Sequence, residues 1–198
     1  MTVLILATNN PDKIREIEKI LADVEVEIRT MADFDDFPNV EETGKTIAEN
    51  AVLKAEAVWK KYGLPCVADD TGLEVDCLDG APGVYSSRFA GEDCSYEDNW
   101  RKLLSLLEGV QDKDRAARFR TVIAFVDKDG QTHVAEGMLE GSIARQPRGE
   151  FGFGYDPVFI VADTEKTLAE LPPQEKNRIS HRGLALRNVK PVILESLR

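Results

Sequence analysis

Apolar and polar positions along the chain alternate between two kinds of segment. Val3 to Ala7 is an unbroken apolar run, as expected of a strand covered on both faces. In IREIEKIL, by contrast, Ile14, Ile17, Ile20 and Leu21 recur on one face at helical spacing. TNNPDK, residues 8–13, lies between them and reads as a strand-to-helix turn. Asn10 suits the N-cap, because its side-chain oxygen can accept an otherwise open amide, and Pro11 suits the first helical position. VEVEIRT (24–30) alternates as a strand does, and DFDDFPNVEETG reads as an acidic loop. Residues 46–62 predict an amphipathic helix with Ile47, Ala51, Ala55, Val58, Trp59 and Tyr62 towards the core, stopped by Gly63 and Pro65.

Further along, CVA is read as a short buried strand that delivers Asp69 and Asp70, LEVDCL as a strand or ribbon, and GAPGVYSSRFAG as a tight loop. Ser95 with Asp98 resembles a capping box for the helix YEDNWRKLLSLLEG, which Gly109 ends. A strand from Ala117 to Val126 turns through DKDG into VAEGMLEGSI as a hairpin. The loop RQPRGEFGFGYDP leads to a strand, VFIV, then a short helical stretch, TLAEL, and a C-terminal helical region that Pro191 should kink or restart. Helices flanking strands in this order, with one antiparallel hairpin, predict an α/β or α+β fold on a mixed sheet with a central cleft.

Composition narrows the function. A chain of 198 residues suits one domain, or one domain with a second lobe. Its apolar stretches fall short of a membrane span, and the N-terminus has no basic region followed by a signal-type apolar core, so a cytoplasmic protein off the membrane is expected. Three cysteines without C-x-x-C spacing and only two histidines argue against a zinc site. The net charge of −11 argues against general nucleic-acid binding, which needs clustered Lys and Arg. A small polyphosphate remains compatible with that charge if a local basic patch, a divalent cation, or both receive it.

Several residues could supply such chemistry. Lys13 falls in the first turn of a helix, where the macrodipole disfavours a cation unless an anion shares the place; it either serves a phosphate there or faces water. The turn lacks the spacing of a P-loop or a dinucleotide fingerprint. Asp69 and Asp70, adjacent in an extended segment, should point to opposite faces and so hold different roles, unless Asp70 merely caps the turn at Thr71-Gly72. Glu41 and Glu42 precede the helix that carries Asn50 and Lys54, four apart on one face; the glutamates either border a site or provide ordinary first-turn acidity. In GFGYDP, Gly152 and Gly154 allow close approach, and Phe153 and Tyr155 can stack on a planar base or pack on the core. Lys176, His181 and Arg182 add three donors within seven positions.

Taken in order, ATNNPDK, EETGKTIAENAVLKA, ADDTGLEVD, GAPGVYSSR, GFGYDPVF and EKNRISHRG resemble the inosine triphosphate pyrophosphatase family, also called Ham1-like, over almost the whole chain. That resemblance implies an elongated two-lobed α/β fold with the site between the lobes, and a homodimer. It also implies Mg²⁺-dependent hydrolysis of ITP, dITP and XTP to the monophosphate and pyrophosphate. Carried over position by position, it assigns Thr8, Asn9, Asn10, Pro11, Asp12 and Lys13 to the triphosphate, with Lys54 on the phosphate side. Asp70 becomes proton acceptor and metal partner, Asp69 its supporting neighbour and Thr71 a substrate contact. Phe153, Gly154, Tyr155, Asp156, Lys176, His181 and Arg182 fall to base and sugar, and Glu41 or Glu42 to the metal. Asn9 and Thr71 stand where many relatives have Gly and Ser; Asn tolerates unusual backbone angles and Thr keeps the hydroxyl. The alternatives are a pyrophosphatase for modified pyrimidine or methylated nucleotides, or a nucleotide sensor without hydrolysis.

Overall fold

The computed structural model describes residues 2–197. Among them, seven strands form one mixed sheet flanked by five α-helices, in agreement with the α/β expectation. The strands are β1 (Thr2–Leu6), β2 (Val26–Arg29), β3 (Cys66–Val75), β4 (Pro82–Gly83), β5 (Ala116–Val126), β6 (Thr132–Ile143) and β7 (Phe159–Val161). Their order is β2-β1-β3-β5-β6-β7, with β4 paired to β3. Strand β1 runs parallel to β2 and β3, while β4 on β3 and β7 on β6 are antiparallel. The helices are α1 (Pro11–Ile20), α2 (Ile47–Tyr62), α3 (Tyr96–Leu106), α4 (Pro173–Ile179) and α5 (His181–Ser196).

The chain divides into two compact units. Among the described residues, the first comprises 2–70, Thr121–Gly137 and 182–197; the second comprises Thr71–Arg120 and Met138–His181. In the first unit Leu4 and Leu6 of β1, Ile17 and Leu21 of the α1 region, Ile123 and Phe125 of β5, and Leu186 and Ile193 of α5 form one buried cluster. In the second, Leu73, Leu103, Phe119, Tyr155, Phe159 and Leu168 anchor another. Each removes apolar surface from water at about 25 cal/mol per Å², which is what holds the backbone of each unit in place.

Local signals place the helix ends. Asn10 accepts from the amides of Asp12 and Lys13, and Pro11 opens α1. Thr46 and Glu49 close a capping box on α2, which ends at Gly63 in the left-handed region (φ 64°). Ser95 and Asp98 do the same for α3. Two expectations change. Strand β3 does not stop at Ala68 but runs through both aspartates to Val75, because ionic partners compensate for carboxylates within a covered strand. The last helix is not restarted at Pro191 but runs through it. Pro191 lacks the donor that would reach the Arg187 carbonyl, and both residues lie on an exposed face where water can serve that carbonyl.

Candidate active site

Strand alternation sends the two aspartates to different partners. Asp69 is buried, and its Oδ2 lies 3.0 Å from Lys13 Nζ and 3.1 Å from Arg182 Nε. Arg182, also buried, reaches Glu16 Oε2 with NH1 at 2.5 Å. Thus α1, β3 and α5 meet in an ionic cluster of the first unit. Burial pushes the Asp69 carboxyl up, but Lys13, Arg182 and Lys54 outweigh it and hold the group below the usual carboxylate range. Burial lowers Lys13, an effect that Asp69 opposes.

Asp70 has a looser environment. Its Oδ1 accepts from Lys54 Nζ at 3.0 Å, and its Oδ2 meets Asn50 Nδ2 at 3.4 Å, near the limit of a hydrogen bond. Burial raises its carboxyl, Lys54 opposes, and Glu42 adds to the rise. Asn50 is itself oriented, since its Oδ1 accepts the Gly44 amide at 2.8 Å. A Cβ on Gly44 would come within 2.5 Å of that oxygen, so the loop before α2 requires a glycine there. Lys54 also donates to Glu42 Oε1 and to the Asp69 carbonyl, each at 2.8 Å. Burial works against its charge, but Asp70, Asp69 and Glu42 outweigh it, and its pKa is raised. Glu42 therefore joins this group, whereas Glu41 is exposed.

The TNNPDK turn differs in detail from a bare amide cradle. Asn10 Oδ1 already engages the Asp12 and Lys13 amides at 2.9 and 3.3 Å, and the Asn10 amide reaches Thr8 Oγ1 at 3.3 Å. The Asp12 carboxylate pairs with Arg15, and Asn9 and Pro11 are exposed. Lys13 is the charged donor that the turn contributes to the ionic cluster.

In the second unit, Asp156 organises GFGYDP. Its Oδ2 accepts the Phe153 amide at 2.8 Å and Lys176 Nζ at 2.5 Å, and that ammonium sits 4.6 Å from the centroid of the Phe153 ring. Gly152, at φ 78°, would place a Cβ only 2.0 Å from the same oxygen. Of the two readings open for Tyr155, the structure shows core packing: its ring belongs to the core and its hydroxyl donates to the Ser86 carbonyl at 2.9 Å. Phe153 remains half-buried. His181 is buried and stacks on Phe119, with centroids 4.5 Å apart. Thr71 is half-buried on β3 and Gly154 takes a φ of 62°. The structure thus gathers Phe153, Asp156 and Lys176, whereas Arg182 belongs with Asp69 and Glu16 in the other unit.

Sequence reasoning missed Glu16, Ser86 and the orienting role of Asn50. Glu16 had one available signal, its place one turn after Lys13 on α1. Among the described residues, no group of three or more His, Cys, Asp or Glu side chains is arranged to hold a metal, and no helix is long and apolar enough to cross a membrane. The donor set nevertheless suits Mg²⁺. Glu42 and Asp70 direct hard carboxylate oxygens at one cationic point within 3.0 Å, and Mg²⁺ commonly takes one or two carboxylates with substrate phosphates completing its shell.

These features define an α/β protein with a charged centre of four carboxylates, two of them the unlike aspartates, and three basic side chains, a centre that can receive a polyanion when a divalent cation accompanies it. The chain belongs to the Ham1 family, whose model matches residues 4–192. It is 53% identical over 194 residues to the dITP/XTP pyrophosphatase of Thermoanaerobacter pseudethanolicus, covering 98% of both chains. The dITP/XTP pyrophosphatase of Bacillus subtilis is 46% identical over 193 residues, again with 98% of each chain covered. Among solved structures, a HAM1 protein from Coxiella burnetii is 44% identical, with 98% of this chain and 100% of that one covered and a TM-score of 0.89. The Staphylococcus aureus Ham1 protein is 41% identical with a TM-score of 0.87, over 97% of this chain and 98% of that one.

Proposed function

We propose that this protein hydrolyses the non-canonical purine nucleotides dITP, XTP and ITP to the monophosphate and pyrophosphate, clearing them from the nucleotide pool. The names of its full-length relatives support the reaction. The observation that carries the residue roles is the unequal treatment of the aspartates: two cations clasp Asp69, while Asp70 keeps one oxygen only lightly held.

On this reading Asp69 is a positioning residue that fixes Lys13 and Arg182. Asp70 accepts the proton of the water that attacks the α-phosphorus, with Oδ2 as the receiving atom. Lys13 and Lys54 bind the phosphates and stabilise charge on the departing pyrophosphate. Glu42, rather than Glu41, joins Asp70 in holding Mg²⁺, which when bound neutralises phosphate charge. Phe153 presents its ring to the base. Lys176 and His181 are the donors for the six-keto group of hypoxanthine or xanthine, where adenine instead carries an amino donor. A buried polar group left unmatched in this way can discriminate by about 10⁴. A homodimer, as the resemblance implies, and a cytoplasmic location, as the composition suggests, belong to the same proposal, and light scattering on the eluting protein measures its oligomeric size.

The test is hydrolysis of dITP, XTP, ITP, GTP and ATP with and without Mg²⁺, scoring pyrophosphate separately from orthophosphate. Pyrophosphate from the first three alone, and only with metal, is the expected result. Orthophosphate release, or binding without turnover, refutes the proposal.

A further inference from the structure

Lys54 is unusually placed for a lysine assigned to phosphate. Its side chain is only 13% exposed. An ammonium carries three protons, and here they meet three acceptors: Glu42 Oε1 at 2.8 Å, the Asp69 carbonyl at 2.8 Å and Asp70 Oδ1 at 3.0 Å. The carbonyl is part of β3, so it fixes Nζ against the strand between the two carboxylates. A cation therefore already occupies the point on which the proposed metal ligands converge. A divalent ion arriving alone would have to displace a fully bonded ammonium or bind beside it, against like-charge repulsion.

We infer that Lys54 closes the Glu42–Asp70 pair against free divalent cations, so that the metal enters together with a triphosphate whose oxygens draw the ammonium away. This rests on the functional reading above. The lysine then serves in two positions: on the carboxylates when no nucleotide is bound, and on phosphate when one is. Metal and nucleotide binding become coupled, each favouring the other, as linkage requires. A purely structural Lys54, tying α2 and its preceding loop to β3, would affect stability without controlling metal affinity.

The test is Mn²⁺ binding to nucleotide-free protein at neutral pH, followed by electron paramagnetic resonance, for the wild type, Lys54→Met, Lys54→Arg and the double variant Lys54→Met/Glu42→Gln. Lys54→Met is expected to bind Mn²⁺ at least about 10-fold more tightly than wild type, a change of about 1.4 kcal/mol. Lys54→Arg, which keeps the charge, should stay near wild type, and the double variant should lose the gain. Unchanged affinity in a Lys54→Met protein with native near-ultraviolet circular dichroism overturns the inference. So does wild-type protein that binds Mn²⁺ alone more tightly than about 0.1 mM, a result independent of how any variant folds. Pyrophosphate release from dITP by the wild type is scored alongside. Release together with an unchanged Lys54→Met affinity removes only this inference, whereas a tightened affinity without release removes only the functional reading.

Discussion

Replacing each adjacent aspartate by asparagine should separate stability from turnover. Asp69→Asn keeps shape but removes a buried charge that faces Lys13 at 3.0 Å and Arg182 at 3.1 Å. At an effective dielectric of about 20, each attraction is worth about 5 kcal/mol before desolvation is counted. Desolvation cancels much of this in the intact cluster, but breaking a buried pair leaves its cations uncompensated and costs about 3–5 kcal/mol net. For a chain of this length that corresponds to a fall in Tm of roughly 6–20 °C. Asp70→Asn differs, because burial already disfavours the ionised Asp70 and Lys54 keeps Glu42 and the Asp69 carbonyl. Its unfolding free energy should lie within about 1 kcal/mol of wild type while pyrophosphate release falls by at least about 10³. The assay is thermal and urea unfolding in chelator, with turnover measured separately in Mg²⁺. Since Asp69 is depressed in the folded state, its contribution is fully present above the unfolded carboxylate range and is lost as pH falls through the folded value. The stability gap between wild type and Asp69→Asn should therefore hold from neutral pH to about pH 5 and narrow below it. Equal destabilisation by both substitutions, or a gap that closes near neutrality, refutes the reasoning.

Other parts of the structure give equally definite outcomes. Gly152→Ala forces a Cβ at positive φ against the Asp156 carboxylate and should cost about 1–3 kcal/mol while raising KM for the nucleotide; an unchanged KM counts against the Asp156-centred arrangement. Arg115 donates to the carbonyls of Ile143, Leu107 and Ala144, so Arg115→Met should lower stability by about 3 kcal/mol or more, and Arg115→Lys should not restore it, because a point charge cannot span three acceptors; urea unfolding decides. Cys66 is buried, donates to the Ala55 carbonyl and is pushed up from 9.0 to about 12, whereas Cys77 is exposed. Ellman's reagent on native protein should therefore label Cys77 first and Cys66 only on unfolding, and simultaneous labelling of both contradicts the burial.

Much of the fold was legible because its signals are local. Asn10-Pro11, Thr46 with Glu49, and Ser95 with Asp98 mark helix starts within a few residues of the groups they serve, and Gly63 marks an end. The extent of β3 was not legible, because aspartates disfavour strand interiors and only distant partners reverse that preference. Arg182 is 113 positions from Asp69, and no periodicity links them. Tyr155 illustrates the same limit: a Gly-aromatic loop leaves a stacking ring and a core ring both open, and a carbonyl 69 positions away decides for the core. Candidate residue types were thus visible in the sequence, whereas the grouping of Arg182 with Asp69 and Glu16, and of Lys176 with Asp156, required tertiary contacts.

That grouping bears on how two identical neighbours acquire different chemistry. Alternation along β3 turns Asp69 towards α1 and α5, and Asp70 towards α2. The cations Lys13 and Arg182 favour the ionised form of Asp69, which fits the positioning role proposed for it above. Asp70 meets Lys54 through Oδ1 alone, and its second oxygen has only a long contact with Asn50. A group that must exchange a proton or a ligand needs an environment that does not commit it to one charged partner. The main chain adds one further link. The carbonyl of Asp69 is itself an acceptor for Lys54, so the residue that holds the first cluster rigid also sets where the second cluster's cation rests. Displacing β3 at this point would therefore disturb both clusters together.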